Sequence, residues 1–482
     1  MPGPQTETFD VLIVGAGLSG INCAYRLKTK LPHVKFVLLE GRDQIGGTWD
    51  LYRYPGVRSD SDIYSIGFSW HRWSFDNPIA TGAQILEYIT DAVSKHRLDQ
   101  YIRFRHKVLS ADWSTADQNW NLTVRNEDGQ PTLFKARWIV LGTGYYDYES
   151  PLQPDIPGLN SFKGKVIHPQ FWPVDLDYNN KNIIIIGSGA TTVGMLPALP
   201  GRAAQVTMVQ RSPTYISPLS NTAWAQQYFP RSLVDIYRRT RYLFSQYLIV
   251  LLCQYFPGFV KDMFRKETSE LLPPKLDYET HFNPSYNPWE QRICTDADGE
   301  FFKALHLPNV KLVTGKIGKV TDGGIRMGDG QTIDADIIVT ATGLRMSLGG
   351  KIDIRVDGEP VAWRGRYILN GAMLDSVPNF VFMFGYTNHA WTLGADDTAI
   401  VLTRLWKYME KKAVRSAVPR VPPEAAIGTQ RMWQLNATYV RAAENEMPVY
   451  GMAGNWRPRN RPPIDYVHAR WGNCTSGLEF LA

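Results

Sequence analysis

The stretch TFDVLIVGAGLSG at residues 8–20 leaves a chain few ways to fold. Its apolar run is short and uninterrupted, as in a strand buried on both faces, and ends in Gly15-x-Gly17-x-x-Gly20. The helical pattern INCAYRLKTKL follows, then a second apolar run, KFVLLE, that ends in Glu40, twenty residues beyond Gly20. Strand, glycine turn, helix, strand and terminal acid together make a dinucleotide-binding βαβ unit. The glycines permit a tight turn and let a pyrophosphate approach the helix N-terminus, while Glu40 can accept hydrogen bonds from ribose hydroxyls. A carboxylate there repels a 2′-phosphate, so the expected ligand is an adenine dinucleotide without one.

The pattern returns at NIIIIGSGATT, residues 182–192, with Gly187-x-Gly189 and then Thr192 where a third glycine or an alanine is usual. Helix and strand are expected to pack less closely at Thr192. The next strand, QVTMVQRSP, ends in Gln210-Arg211-Ser212 instead of an acid. A guanidinium and a hydroxyl at that strand end suit a 2′-phosphate. One site for free ribose hydroxyls and one for a phosphorylated ribose imply FAD plus NADPH, hence a flavoprotein oxidoreductase.

Two further strands, WIVLGTGYY (138–146) and DIIVTATGLR (336–345), end in Gly142-Thr143-Gly144 and Ala341-Thr342-Gly343. The alternating region from Phe104 to Lys135, with a turn at Asp128-Gly129, reads as a small antiparallel sheet inserted in the first fold. VPNFVFMFGYT (377–387) is expected to complete the first sheet. The fold class is therefore α/β, with two Rossmann-like dinucleotide-binding domains, for FAD and NADP, and a mostly helical insertion. The expected boundaries are 1–155 with 345–482 for a discontinuous FAD domain, 156–216 with 291–344 for the NADP domain, and 217–290 for the insertion.

Composition narrows the remaining classes. At 482 residues the chain exceeds one ordinary core, and its 44% hydrophobic and 20% charged residues are those of a globular protein. A net charge of +6 without a long basic run gives no sign of a nucleic-acid partner. Cys23, Cys253, Cys294 and Cys474 form no CxxC pair, so neither a metal site nor a redox-active disulfide is expected. That spacing also disfavours a disulfide reductase. The polar MPGPQTETFD runs directly into a strand, and a cytoplasmic location is the expectation. Residues 242–260, YLFSQYLIVLLCQYFPGFV, carry no charge and meet the length of a membrane span. Their polar residues, with Pro257 and Gly258, favour a buried helix or pocket lining, with peripheral membrane contact ranked above a span.

These motifs, in this order from about residue 10 to 390, resemble the class B flavoprotein monooxygenases, and within them the type I Baeyer–Villiger monooxygenases. The family pattern F-x-G-x-x-x-H-x-x-x-W-P is met by Phe162, Gly164, His168, Trp172 and Pro173. A second family segment is met by Gly46, Gly47, Trp49, Tyr54, Pro55, Gly56 and Asp60. GGTWDLYRYPGVRSDSD and NPWEQR are most similar to the ethionamide-activating branch. Trp172-Pro173 tips the resemblance toward ketone oxygenation, since nitrogen- and sulfur-oxygenating members usually carry Tyr or Phe there.

The resemblance implies that NADPH reduces FAD and that the reduced flavin traps dioxygen as a C4a-peroxide, which attacks a ketone to give an ester or lactone. Sulfoxidation is an implied side activity; a nitrogen- or sulfur-oxygenating enzyme without ketone activity, and a non-catalytic redox sensor, are the alternatives. The implied substrate is a small apolar ketone or sulfide, with O2 as the second. The resemblance places catalysis on Arg292, paired with Asp60. It places FAD contacts on Gly15, Gly17, Ser19, Gly20, Glu40, Gly47, Thr48, Trp49, Asp50, Leu51, Arg58, Ser59, Asp60 and Val108. NADP contacts fall on Gly187, Ser188, Gly189, Ala190, Thr191, Thr192, Arg211 and Ser212. Better-studied branches carry a lysine where this chain has Gln291, which leaves more of the NADPH preference to Arg211.

The residues alone leave alternatives: Asp60 as a helix N-cap, and Arg292 as an ordinary surface arginine. Asn287-Pro288-Trp289 is expected to form a turn that presents Arg292. Tyr386, Asn388 and Trp391 are candidates for the substrate pocket, although core packing explains Trp391 equally well. His168 lies between the two folds, and there it reads as a hydrogen-bonding pin in a linker, not a catalytic base.

Overall fold

The computed structural model describes residues 6–220, 230–421 and 427–482. In the first nucleotide fold, β1 (Glu7–Val14) leads into α1 (Leu18–Lys30) and β2 (Phe36–Leu39), with β3 (Ile102–Arg103) beyond. The alternating region supplies β4 (Lys107–Ser114), β5 (Asn119–Arg125) and β6 (Pro131–Leu141). β6 joins the two parts of one sheet. Pro131–Ala136 pairs antiparallel with β5, while Phe134–Leu141 runs parallel to β1. The change follows the sequence: alternation holds to Arg137, then Trp138–Leu141 is continuously apolar and fully buried.

The second fold forms a separate five-stranded parallel sheet. It contains β7 (Lys165–Ile167), β8 (Asn182–Ile186), α2 (Ala190–Met195) and β9 (Gln205–Gln210). The chain then leaves for α3 (Arg231–Tyr255) and α4 (Pro257–Leu271), and returns for β10 (Val310–Thr314) and β11 (Ile337–Thr340). The strand order is β10-β9-β8-β11-β7. Part of the helical insertion read from sequence, residues 221–229, lies outside the described residues. The segment read as a linker around His168 is also more than a linker, because Lys165–Ile167 is an edge strand paired with β11.

A late strand, β12 (Phe380–Phe382), pairs parallel with β6, completing a parallel order β3-β2-β1-β6-β12. The two sheets thus repeat one topology, with the outer strand contributed late in the first and early in the second. After β12 come α5 (Trp391–Lys412), α6 (Thr438–Ala443) and α7 (Pro462–Trp471). α5 packs along α1. Among the described residues no single helix is long and apolar enough to cross a membrane. α3 and α4, which hold the uncharged stretch 242–260, meet at a 114° bend at Phe256-Pro257.

Candidate active site

At the end of β1, Gly15 has φ +98°, and a Cβ on Gly20 would lie 1.9 Å from the Gly15 carbonyl oxygen. α1 therefore presses against the turn, and only glycine fits. The N-cap of α1 is Gly17, with no side-chain cap, and its first turn holds no acid. Its free amides suit a pyrophosphate. Glu40 is buried at the end of β2, with Oε2 accepting from the Ala16 amide at 2.7 Å and Oε1 from the Arg42 amide at 2.9 Å. The carboxylate is thereby aimed across the helix start, so the residues present fit an adenine dinucleotide. A Cβ on Gly47 would lie 3.2 Å from Gly17 Cα, which brings the 46–51 loop against this turn. Thr48 Oγ1 is 3.1 Å from the Tyr148 hydroxyl, and the Asp50 carboxylate is held by Arg42 and Arg53. Trp49 and Leu51 are half-buried beside it. Val108 sits in β4 with its side chain in the core.

The second site repeats this plan in a more open form. Gly187 has φ +133°, and a Cβ there would meet the Ala341 carbonyl oxygen at 2.2 Å. Gly189 caps α2 with nothing within 4 Å of its Cβ position, and Ala190 is exposed beside it. Ser188 donates to the Ser212 carbonyl. Arg211 and Ser212 are exposed at the end of β9, the strand end where a 2′-phosphate would be met by a guanidinium and a hydroxyl. Thr192 is fully buried where the first fold has Gly20.

A bracket at residues 54–58 joins the two folds. Tyr54 shares a hydrogen bond with Thr191, and Gly56 lies against Gly194 of α2. The Arg58 guanidinium reaches Asp296 at 3.3 Å, Glu300 at 3.1 Å and the Val193 carbonyl at 3.3 Å. Its side chain is committed to this strut. Asp296 is wholly buried, and burial pushes its carboxyl upward despite amide donation from Phe301. Arg58→Ala would strand that carboxylate, at a cost of about 3 kcal/mol. A clearly lower apparent melting temperature of the flavin-loaded protein is expected; an unchanged melting curve would count against the strut.

Asp60 and Arg292 meet at the end of the bracket, with Arg292 Nη1 3.6 Å from Asp60 Oδ2. Asp60 does not cap a helix. Asp62 does, accepting from the Ser65 amide at 2.8 Å at the start of the one-turn helix Ile63–Ile66. The Asp60 main chain is pinned through its carbonyl by Thr295 Oγ1 at 2.8 Å, and Ser59 Oγ donates to the Ser61 carbonyl. Arg292 follows a turn in which the Glu290 amide reaches the Asn287 carbonyl and Trp289 takes φ +73°. The nearby Asp60 carboxylate pushes the Arg292 guanidinium further above its ordinary value, so the cation is fixed at any working pH.

Aromatic residues surround this pair. Tyr145, Tyr146 and Tyr439 lie in the electrostatic field of Arg292, and Tyr145 packs on Trp391 and Trp433, with ring centroids 4.5 and 5.0 Å away. Trp391 Nε1 donates to Ser19 Oγ at 3.1 Å, tying the start of α5 to the start of α1. A cavity of about 290 Å³ opens beside this cluster, lined in part by Trp289, Asn388, Trp391 and Trp433. Tyr386 is absent from that lining; its buried hydroxyl donates to Asp465 at 3.0 Å. α6 reaches over the second nucleotide site, where Arg211 contacts Thr438 Oγ1 at 3.4 Å.

The description "flavin-binding monooxygenase-like" (FMO-like) fits residues 9–273. A curated relative, the FAD-containing monooxygenase EthA of Mycolicibacterium smegmatis, is 40% identical over 458 residues, 94% of this chain and 93% of that protein. The chain belongs to the flavin-binding monooxygenase-like family. The probable FAD-binding monooxygenase AlmA of Acinetobacter baylyi is 39% identical over 94% of this chain and 91% of that protein. In fold, the family member resembles oxidised steroid monooxygenase bound to NADP, with a TM-score of 0.77 at 21% identity over 98% of this chain and 99% of that chain. It is also similar to cyclohexanone monooxygenase from Rhodococcus sp. Phi1 bound to NADP+, with a TM-score of 0.76 at 20% identity over 99% and 100% of the two chains.

In this flavin-binding monooxygenase-like chain, His168 Nε2 lies 3.0 Å from the Gly343 carbonyl, and Nδ1 accepts from the Gln170 amide. That pattern assigns a neutral ring with its proton on Nε2, and burial pushes its pKa down. The imidazole fastens the segment after β7 to the turn after β11. Sequence reasoning missed Tyr145, Trp433 and Tyr439. Tyr145 directly follows Gly142-Thr143-Gly144, a strand end already read as lying beside a nucleotide, so its signal was present. Trp433 and Tyr439 come from a C-terminal segment with no motif.

Proposed function

We propose that this flavin monooxygenase inserts one oxygen atom of O2 into apolar ketones, giving esters or lactones, with FAD in the first nucleotide fold and NADPH in the second. The balance is ketone, O2, NADPH and a proton to ester, NADP+ and water. The observation that carries the reading is the Arg292–Asp60 pair, a fixed cation at the join of the two folds beside an aromatic-walled cavity. The relatives support the cofactors: curated ones are named FAD-containing, and similar solved structures hold FAD and NADP.

FAD, when bound, supplies activation of dioxygen with electrons from NADPH. Gly15, Gly17, Gly20 and Glu40 would hold its adenine dinucleotide portion; Gly187, Gly189, Arg211 and Ser212 would hold NADPH. Arg292 stabilises the negative charge that develops on the substrate oxygen as a tetrahedral centre forms, through directed N–H donors that never deprotonate. Asp60 holds the guanidinium in place without neutralising it, because a pair at 3.6 Å leaves other N–H groups free. Tyr145, Trp391 and Trp433 give that charge a low-dielectric wall on one side, which strengthens its attraction to Arg292.

Incubating the holoenzyme with NADPH, O2 and a panel of ketones and sulfides tests this reading. Esters or lactones carrying one atom of labelled dioxygen are expected. Sulfoxides alone, with every ketone returned unchanged, would overturn it. Arg211→Ala should raise the KM for NADPH about 10- to 100-fold, the scale of lost charge-assisted bonds, and leave the KM for NADH nearly unchanged. Equal changes for both coenzymes would refute the role of Arg211.

A further inference from the structure

A second, larger cavity of about 620 Å³ lies between α1, α3, α5 and α7. The loop from Gly385 into α5 forms the wall between the two cavities. Gly385, Thr387, Asn388 and Trp391 face the cavity near Arg292, while Tyr386, His389, Thr392 and Leu393 face the larger one. No residue of that loop lines both.

Both carboxylates in the larger cavity are paired with arginines, and the third guanidinium, Arg239, donates to the Tyr64 and Gly67 carbonyls at 2.9 and 3.3 Å. Arg26 makes two bonds of 2.8 Å to Asp396, and Arg470 reaches Asp397 at 2.9 Å. Two neutral polar groups are left. His389 is 6% exposed and Asn22 is 3% exposed, and neither His389 Nε2 nor Asn22 Nδ2 has a hydrogen-bond partner among the described residues. The Asn22 carbonyl is taken by the Trp70 indole at 2.9 Å, so its amide is oriented with a free N–H. The His389 ring lies between Tyr247 and Tyr386, with centroids 6.0 and 5.8 Å away, and burial pushes its pKa down to about 4, which keeps it uncharged. Buried polar groups without partners are costly and rare, and they point to a ligand that completes them.

The chamber therefore offers apolar and aromatic walls, carboxylates already paired with arginines, one guanidinium held by main-chain carbonyls, one free amide N–H and one neutral imidazole. We propose that it is a second binding site, for an uncharged apolar molecule bearing a carbonyl-type oxygen. A cation would meet Arg26, Arg239 and Arg470, and an anion Asp396 and Asp397, whereas the two unpartnered groups, an amide and an imidazole, are matched by a neutral carbonyl oxygen. The exposed side chains of Phe244 and Tyr466 stand at its rim, giving an apolar molecule a matching approach. This ligand class is read from the chamber alone and does not rest on the ketone reaction.

Benzophenone, a neutral aromatic ketone that labels adjacent C–H bonds under near-ultraviolet light, is a suitable probe. The oxidised, FAD-loaded protein is irradiated without NADPH and the adducts are mapped by peptide mass spectrometry. Saturable adducts within residues 239–247 and 462–470 are expected, suppressed by excess 4-phenylbutan-2-one and not by the anion 4-phenylbutyrate. Leu243→Trp, which fills the chamber from α3, should cut this labelling at least tenfold. His389→Phe should weaken it about fivefold, the scale of one lost buried hydrogen bond, and His389→Gln should restore part of it. Arg292→Ala should leave it intact, so loss of oxygenation and loss of the chamber are read separately. Adducts confined to residues 287–289 and 432–435, labelling indifferent to both Leu243→Trp and His389→Phe, or equal suppression by the carboxylate would overturn the proposal. The competition arm uses the wild-type protein, so the test stands even if the variants misfold.

Discussion

Arg292→Ala is expected to give a yellow protein that still consumes NADPH and O2 but releases hydrogen peroxide in place of ester. The FAD cradle should survive, because it is built by the Gly15–Gly20 turn, Glu40 and the 46–51 loop, none of which leans on Arg292. What is lost is the cation that Asp60 holds beside the aromatic cluster. Removing a single preorganised donor to a developing oxyanion costs about 10²–10³ in kcat, and a full guanidinium charge should cost at least the upper end. Arg292→Lys should recover little, since one ammonium cannot reproduce planar, directed donors. Asp60→Asn should fall between, with the guanidinium retained but less firmly placed. Ester formation is followed by gas chromatography and peroxide by a coupled peroxidase assay on the same sample. Normal ester yield from flavin-loaded Arg292→Ala would remove Arg292 from the chemistry.

Much of this architecture is legible in the sequence because glycine positions are backbone requirements. Gly15, Gly20 and Gly187 each sit where a Cβ would strike a carbonyl oxygen, so the motif states the geometry directly. The periodicity change inside β6, from alternating to continuously apolar, likewise marks where its antiparallel neighbour β5 gives way to the parallel strand β12. Asp60 was harder, because an acid in RSDSD can cap a helix as readily as it can hold an arginine; only the structure assigns the cap to Asp62. Tyr386 shows the limit in the other direction. It follows Gly385 in the loop that walls the cavity near Arg292, yet its hydroxyl turns to Asp465 on the other side of that loop, and no periodicity in an irregular loop encodes the choice. Trp433 and Tyr439 reach the site through tertiary packing over more than a hundred residues, which no local pattern encodes. The edge strand β7 escaped for a simpler reason: three residues carry too little periodicity to separate a strand from a linker.

Gly56→Val should separate the two nucleotide folds functionally while each keeps its ligand. Gly56 has φ +78°, and a Cβ there would lie 2.1 Å from the Gly194 carbonyl oxygen, while one on Gly194 would lie 2.8 Å from the Gly56 oxygen. The two glycines meet where the bracket lies against α2, between the Tyr54–Thr191 and Arg58–Val193 contacts. Valine adds the cost of a left-handed backbone, about 1–2 kcal/mol, to a clash with main chain that no rotamer relieves. The bracket must therefore move by on the order of an ångström, and displacements of that size cost about 10² in reactions that depend on alignment. FAD absorbance should remain near wild type, while the rate of flavin reduction by NADPH under anaerobic stopped flow falls about a hundredfold. Gly56→Ala should move the same way by less, since it carries the clash without the branched side chain. Wild-type reduction rates in a folded, flavin-loaded Gly56→Val protein would show that the bracket does not set the distance between the cofactors.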